Sequence, residues 1–234
     1  MIRGFLVLLF LPTYAILATL IGYPLARFVF GSPHLLYVLG RFGMRVSLWL
    51  TGIRVEFEGL ENLADPRNVV VMPNHTSNLD APILVGLLPV DVKAVLKREL
   101  YRFPLVHLCT RFAGFVDVDR SDPGGAKRAI ERAAASLRAG NCFIIFPEGT
   151  RSRTGELGPF KKGAFVAAIE AGSRILPVAI RGAYELLAPG SFRVKPGTVR
   201  VKVLDPVPAE GYSYEDRDRL AAEVRGRIAR TLEA

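Results

Sequence analysis

The chain has 234 residues, 31 Lys+Arg against 22 Asp+Glu for a net charge of +9, and a hydrophobic share of 50 %. That length suits one domain with a real core, and the composition excludes both a disordered chain and, with only Cys109 and Cys142 and no CxxC, a disulfide scaffold. A basic, apolar chain points to a partner bearing phosphates or to an anionic membrane, without choosing between them.

The apolar residues are concentrated at the start. Residues 4–26 carry no charge, and Arg3 and Arg27 flank them. As a helix this run is about 34 Å long, enough for a hydrocarbon core of about 30 Å. It is too long for the apolar part of a secretory signal, and no A-x-A cleavage site follows. Pro12, Gly22 and Pro24 leave a re-entrant or interfacial segment as open as a clean crossing. Ser32-Pro33 then starts a second helix reaching Leu50, with Arg41 and Arg45 on one face, expected to reach phosphate head groups. Residues 1–51 therefore read as a membrane-embedded or interfacial helix pair, and 52–234 as one α/β domain.

In that domain IRVEFEG alternates as a strand and NVVVMPN reads as a buried one. Residues 79–88 suit a helix, VKAVLK a strand, 98–112 a helix and GFVDVDR a strand. An amphipathic helix over 123–139 stops at Gly140, and CFIIFPEG is a strong strand. Residues 160–171 are helical, ILPVAIRG and VRVKVLD are strands, and a capping box at Ser213 and Asp216 opens a last helix. This alternation predicts a largely parallel mixed sheet flanked by helices.

Several catalytic signatures are absent: G-x-S-x-G, the Walker loop, G-x-G-x-x-G and H-E-x-x-H. The only histidines are His34, His75 and His107, so no metal-ligand set stands out, and the two cysteines lie in apolar segments that suit inert packing. Two polar turns remain. Asn74-His75-Thr76-Ser77-Asn78-Leu79-Asp80 follows a buried strand, where α/β sheets place ligands. His75 and Asp80 cannot meet on one helical face but can meet across a bend; equally, Asp80 can be a plain N-cap. Phe146-Pro147-Glu148-Gly149-Thr150-Arg151-Ser152 follows another strand and offers hydroxyls and a guanidinium fork suited to phosphate.

NHTSNLD resembles the NHxxxxD motif of the glycerolipid acyltransferases, the family of 1-acyl-glycerol-3-phosphate acyltransferase, and FPEGTRS resembles their third motif. Lys97-Arg98-Glu99-Leu100 looks like the K-x-E-L segment, residues 114–120 like the second motif with Asp117 at an expected apolar position, and Leu176-Pro177-Val178-Ala179-Ile180 like the fourth. The likeness spans about 52–205 and includes the preceding helix pair. It implies an O-acyltransferase in which His75 is the general base and Asp80 orients it. Lys97, Arg120 and Arg151 would bind the substrate phosphate, with Gly149 and Thr150 as donors. Glu148 would bind a glycerol hydroxyl or, preferably, hold a structural position. Lys161 and Lys162 read as a solvated helix start outside the site. The implied partners are a lysophospholipid acceptor, acyl-CoA or acyl-carrier protein as donor substrate, and the bilayer at its cytoplasmic face, with no cofactor, metal or nucleic acid. The alternatives are another acceptor (another lysophospholipid, glycerol 3-phosphate or a lyso-ornithine lipid) or a non-catalytic binder of anionic lipid.

Overall fold

The computed structural model describes residues 2–119, 121–191 and 193–234. The uncharged run forms helix α1 (Ile2–Pro24), continued by a π-helical turn at Leu25–Val29, and α2 (His34–Thr51) folds back against it. Leu9–Val29 is long and apolar enough to cross a membrane, and only 11% of it is buried. The two helices approach closely because Gly43 leaves room for the ring of Tyr14, whose hydroxyl donates to the Leu39 carbonyl at 2.7 Å.

The other face of α2 lies on the α/β body. Arg41 does not reach outward as expected: its Nη2 is 2.6 Å from Oδ1 of Asp91, whose other oxygen is 2.7 Å from Nδ1 of His34. A cation facing a carboxylate on the neighbouring body gains more there than by extending into solvent. Arg45 is exposed.

In chain order the body comprises β1 (Ile53–Glu58), β2 (Val69–Pro73), α3 (Asp80–Leu87), β3 (Val92–Lys97), a 3₁₀ turn (Arg98–Arg102), α4 (Pro104–Phe112) and β4 (Val116–Val118). Then follow α5 (Gly125–Arg138), β5 (Cys142–Ile144), α6 (Gly163–Glu170), β6 (Arg174–Arg181), the short α7 (Ala183–Leu186), β7 (Gly197–Val203), β8 (Val207–Pro208) and α8 (Arg217–Glu233). The helix expected over 98–112 is interrupted. Pro104 pushes Phe103 to an extended conformation (φ −86°, ψ 110°), so a 3₁₀ turn precedes it and α4 starts at the proline.

The sheet runs β1-β7-β6-β2-β5-β3-β4, with β8 also on β6. β6, β2, β5, β3 and β4 are mutually parallel, whereas β7 and β8 run antiparallel to β6. In β2, Val69 and Val71 join a core with α2 and α3, while Val70 and Met72 join one with α5, α6 and α8. A strand buried on both faces reads as a continuous apolar run, as VVVMP does. The parallel strands put the segments after β2, β3, β4 and β5 on one edge of the sheet.

Candidate active site

After β2 the main chain bends before α3 begins. The buried Asn74 side chain fixes the bend to β6: its Nδ2 donates to the Ile180 carbonyl at 3.0 Å, and its Oδ1 accepts the Ile180 N–H at 2.7 Å. The bend brings His75 Nδ1 within 2.9 Å of Asp80 Oδ2, and the same oxygen accepts the N–H groups of Thr76 and Ser77, each at 2.7 Å. Asp80 thus ties the bend together and does not cap α3, whose N-cap is Leu79 without a side-chain bond. The Asp80 side chain is fully buried (0% exposed) and that of His75 is 17% exposed. With Nδ1 facing a carboxylate, the ring hydrogen sits on Nδ1 and Nε2 keeps its lone pair.

The segment after β5 closes around the same histidine. Glu148 Oε1 accepts the His75 N–H at 2.7 Å, Glu148 Oε2 accepts the Gly158 N–H at 3.0 Å, and the Ser152 N–H donates to the His75 carbonyl at 2.8 Å. The ring of Phe146 stacks on the imidazole with centroids 3.9 Å apart. An aromatic face there favours the imidazolium when it forms. Burial pushes the Glu148 carboxyl up, opposed by the two backbone N–H groups. Each Glu148 oxygen thus accepts one backbone N–H, and the side chain ties the two loops together.

Removing the brace strands two backbone donors and frees the histidine. Glu148→Ala is expected to lower kcat by about 10²-fold, the scale of a 1 Å misplacement, and to cost about 1–3 kcal/mol in stability. Glu148→Gln, which can accept at one oxygen only, should fall between. Denaturant titration alongside initial rates reads both effects; wild-type turnover in Glu148→Ala contradicts the bracing role.

Gly149 has φ +69°, and a Cβ there would lie 3.0 Å from Nζ of Lys161. The Lys161 N–H donates to the Pro147 carbonyl at 2.7 Å, so this side chain lies across the turn that carries Thr150 and Arg151. Lys161 and Arg151 are exposed and form no ion pair among the described residues, whereas Lys162 reaches Asp218 Oδ2 at 2.9 Å. Local pattern does not separate the two lysines, because the chain reversal between 149 and 161 is what brings Lys161 to the turn. Phe146 lies inside the third motif with no expected role, and Ser152, expected to offer its hydroxyl, meets His75 through its backbone N–H.

Lys97 ends β3, two strands from β2 or about 10 Å at the usual strand spacing, and its Nζ is 2.8 Å from Oε1 of Glu99. Arg120 lies outside the described residues. Asp117, the departure in the second motif, is 2.8 Å from Nη1 of Arg132 on α5. Cys142 is buried in β5, where burial pushes its thiol up to about 12.

The acyltransferase family profile matches residues 54–181. The 1-acyl-sn-glycerol-3-phosphate acyltransferase of Limnanthes douglasii is 30% identical over 220 residues, covering 94% of this chain and 76% of that protein. The human 1-acyl-sn-glycerol-3-phosphate acyltransferase alpha is 34% identical over 178 residues, covering 76% of this chain and 63% of that protein. The crystal structure of the 1-acyl-sn-glycerophosphate (LPA) acyltransferase PlsC from Thermotoga maritima superposes with a TM-score of 0.82 at 30% identity, covering 99% of this chain and 95% of that one. With an imidazole–carboxylate pair at the first motif and the third motif bonded to it on both sides, this chain belongs to the glycerolipid acyltransferase family, that of the 1-acyl-sn-glycerol-3-phosphate acyltransferases.

Proposed function

We propose that the protein transfers a fatty acyl group from acyl-CoA or acyl-carrier protein to the sn-2 hydroxyl of 1-acyl-sn-glycerol 3-phosphate, giving phosphatidic acid for phospholipid synthesis. The observation that carries this reading is the His75–Asp80 contact of 2.9 Å beside a turn where Arg151 and Lys161 are exposed and without an ion pair among the described residues. An alcohol is a weak nucleophile at neutral pH and needs a positioned base. His75 Nε2 takes the hydroxyl proton as the oxygen attacks the thioester carbonyl. The C–S bond then breaks, and the departing sulfur receives that proton from the imidazolium. Asp80 holds the ring and offsets its charge. Transfer is direct: the neighbouring Ser77 hydroxyl is committed to the Leu187 carbonyl at 2.7 Å. The acceptor phosphate meets Arg151, Lys161 and Lys97, with Gly149 and Thr150 as further donors.

The helix pair beds the body on the cytosolic side of the bilayer, where thioester donors are found. Because α2 lies along the body, tied by Arg41 and Asp91 and by Met44 against Gly86, entry into one leaflet fits better than a crossing.

Purified protein supplied with each donor should acylate lysophosphatidate faster than a lyso-ornithine lipid or glycerol 3-phosphate. Neutralising Arg151 or Lys161 (Arg151→Gln, Lys161→Met) should raise KM for lysophosphatidate about tenfold, the loss of one charge-assisted contact worth about 1.5 kcal/mol, and leave phosphate-free acceptors unaffected. Preferential acylation of a phosphate-free lipid overturns the assignment.

A further inference from the structure

Helix α4 has no buried residue, although its outer face is apolar. Phe103 is 63% exposed, Leu108 41%, and Leu100 on the preceding 3₁₀ turn 43%. Its inner face packs on the apolar α1: the rings of Phe112 and Tyr23 lie 5.8 Å apart, and Cys109 Sγ is 3.6 Å from Thr19 Oγ1. Helix α4 thus sits directly beside α1, on which Leu17, Leu20 and Ile21 are exposed. Arg102 and Arg111 border the patch, exposed and without an ion pair among the described residues. Arg27 bridges the two helices, its guanidinium 5.7 Å from the Phe112 ring.

We propose that the segment Arg98–Phe112 is a third membrane-contacting element, which sinks Leu100, Phe103 and Leu108 into the leaflet that holds the helix pair and sets Arg102 and Arg111 among its anionic head groups. This rests on the membrane placement given above for α1 and α2. An apolar face rimmed by arginines is the pattern of an interfacial helix, and its packing against the apolar, membrane-placed α1 names a bilayer, not a protein, as the occupant. The segment leaves β3 directly after Lys97, on the sheet edge that carries His75. Contact there puts the head-group plane beside the site, so a lysophospholipid can present its glycerol hydroxyl to His75 with its acyl chain still in the leaflet.

The test uses the full chain in vesicles of phosphatidylcholine with a minority of phosphatidylglycerol, their acyl chains brominated or not. Trp49 is the single tryptophan, so Trp49→Phe gives a dark background for one reporter at a time. Phe103→Trp and Leu108→Trp probe the proposed segment, Leu20→Trp probes α1, and Tyr214→Trp reports from the aqueous surface before α8. The proposal expects bromine quenching at 103 and 108 comparable to that at 20, with none at 214. Quenching at 20 but not at 103 or 108 overturns the proposal and spares the membrane reading; no quenching at 20 overturns both. Exchanging Phe103 and Leu108 together for Asp should leave turnover of detergent-dispersed acceptor unchanged and lower it about tenfold on vesicle-borne acceptor. Equal rates in the two formats also overturn it.

Discussion

Replacing His75 by alanine is expected to lower kcat by about 10²- to 10⁴-fold, the usual share of a positioned base, or about 3–5 kcal/mol of transition-state stabilisation. KM for either substrate should hardly move, because in the proposed mechanism the imidazole acts on a hydroxyl whose phosphate the cations hold. The fold should survive: the histidine's ties to Glu148 and Ser152 run through its backbone, which alanine keeps. A single-turnover experiment with labelled acyl donor completes the measurement. The wild-type protein should pass label to the lipid with no protein-bound acyl group at any time, and His75→Ala should leave it on the donor. A His75→Ala protein that keeps more than a tenth of wild-type kcat removes the histidine from the chemistry, and a transient acyl-protein removes the direct mechanism.

What the sequence disclosed, and what it withheld, divides along the range of the forces involved. Strand β3 coincides with VKAVLK and β2 lies inside NVVVMPN because alternation and uninterrupted burial are local patterns. The capping box at Ser213 and Asp216 forms as read, with Ser213 N–H and Oγ at 2.9 and 2.8 Å from Asp216 Oδ2, again within four residues. Strand order and the antiparallel insertion of β7 between β1 and β6 had no local signal, since they depend on contacts far apart in the chain. At the site the same division holds. The spacing of His75 and Asp80 allowed a contact or an N-cap, and the bend that decides between them is held by Asn74 gripping β6, a hundred residues downstream. Likewise the carboxylate of Glu148 was visible, but its two backbone partners come from separate loops. Nor does the sequence around Arg41 announce its partner, because Asp91 lies on a different element.

Asp80 offers the sharper mutational contrast, because its single oxygen Oδ2 serves both His75 and the bend. In Asp80→Asn the carboxamide oxygen should take the place of Oδ2, since the Thr76 and Ser77 N–H groups, both in buried residues, demand an acceptor there. That same oxygen still accepts from Nδ1 of His75, so the imidazole keeps its tautomer and only the countercharge to the imidazolium disappears. A loss of about 10²-fold in kcat follows, less than where an amide imposes the wrong tautomer on the ring, which costs about 10⁴ in a serine protease. Asp80→Ala removes acceptor and charge together. It strands two buried donors at a cost of about 1–3 kcal/mol in stability and lets the histidine swing, so kcat should fall by about 10³-fold or more. The order of the two variants in turnover, with melting temperature depressed mainly in Asp80→Ala, tests the dual role. If Asp80→Asn is as inactive as Asp80→Ala while melting like the wild type, the backbone donors do not control the amide, and the carboxylate acts on the ring by charge or tautomer alone.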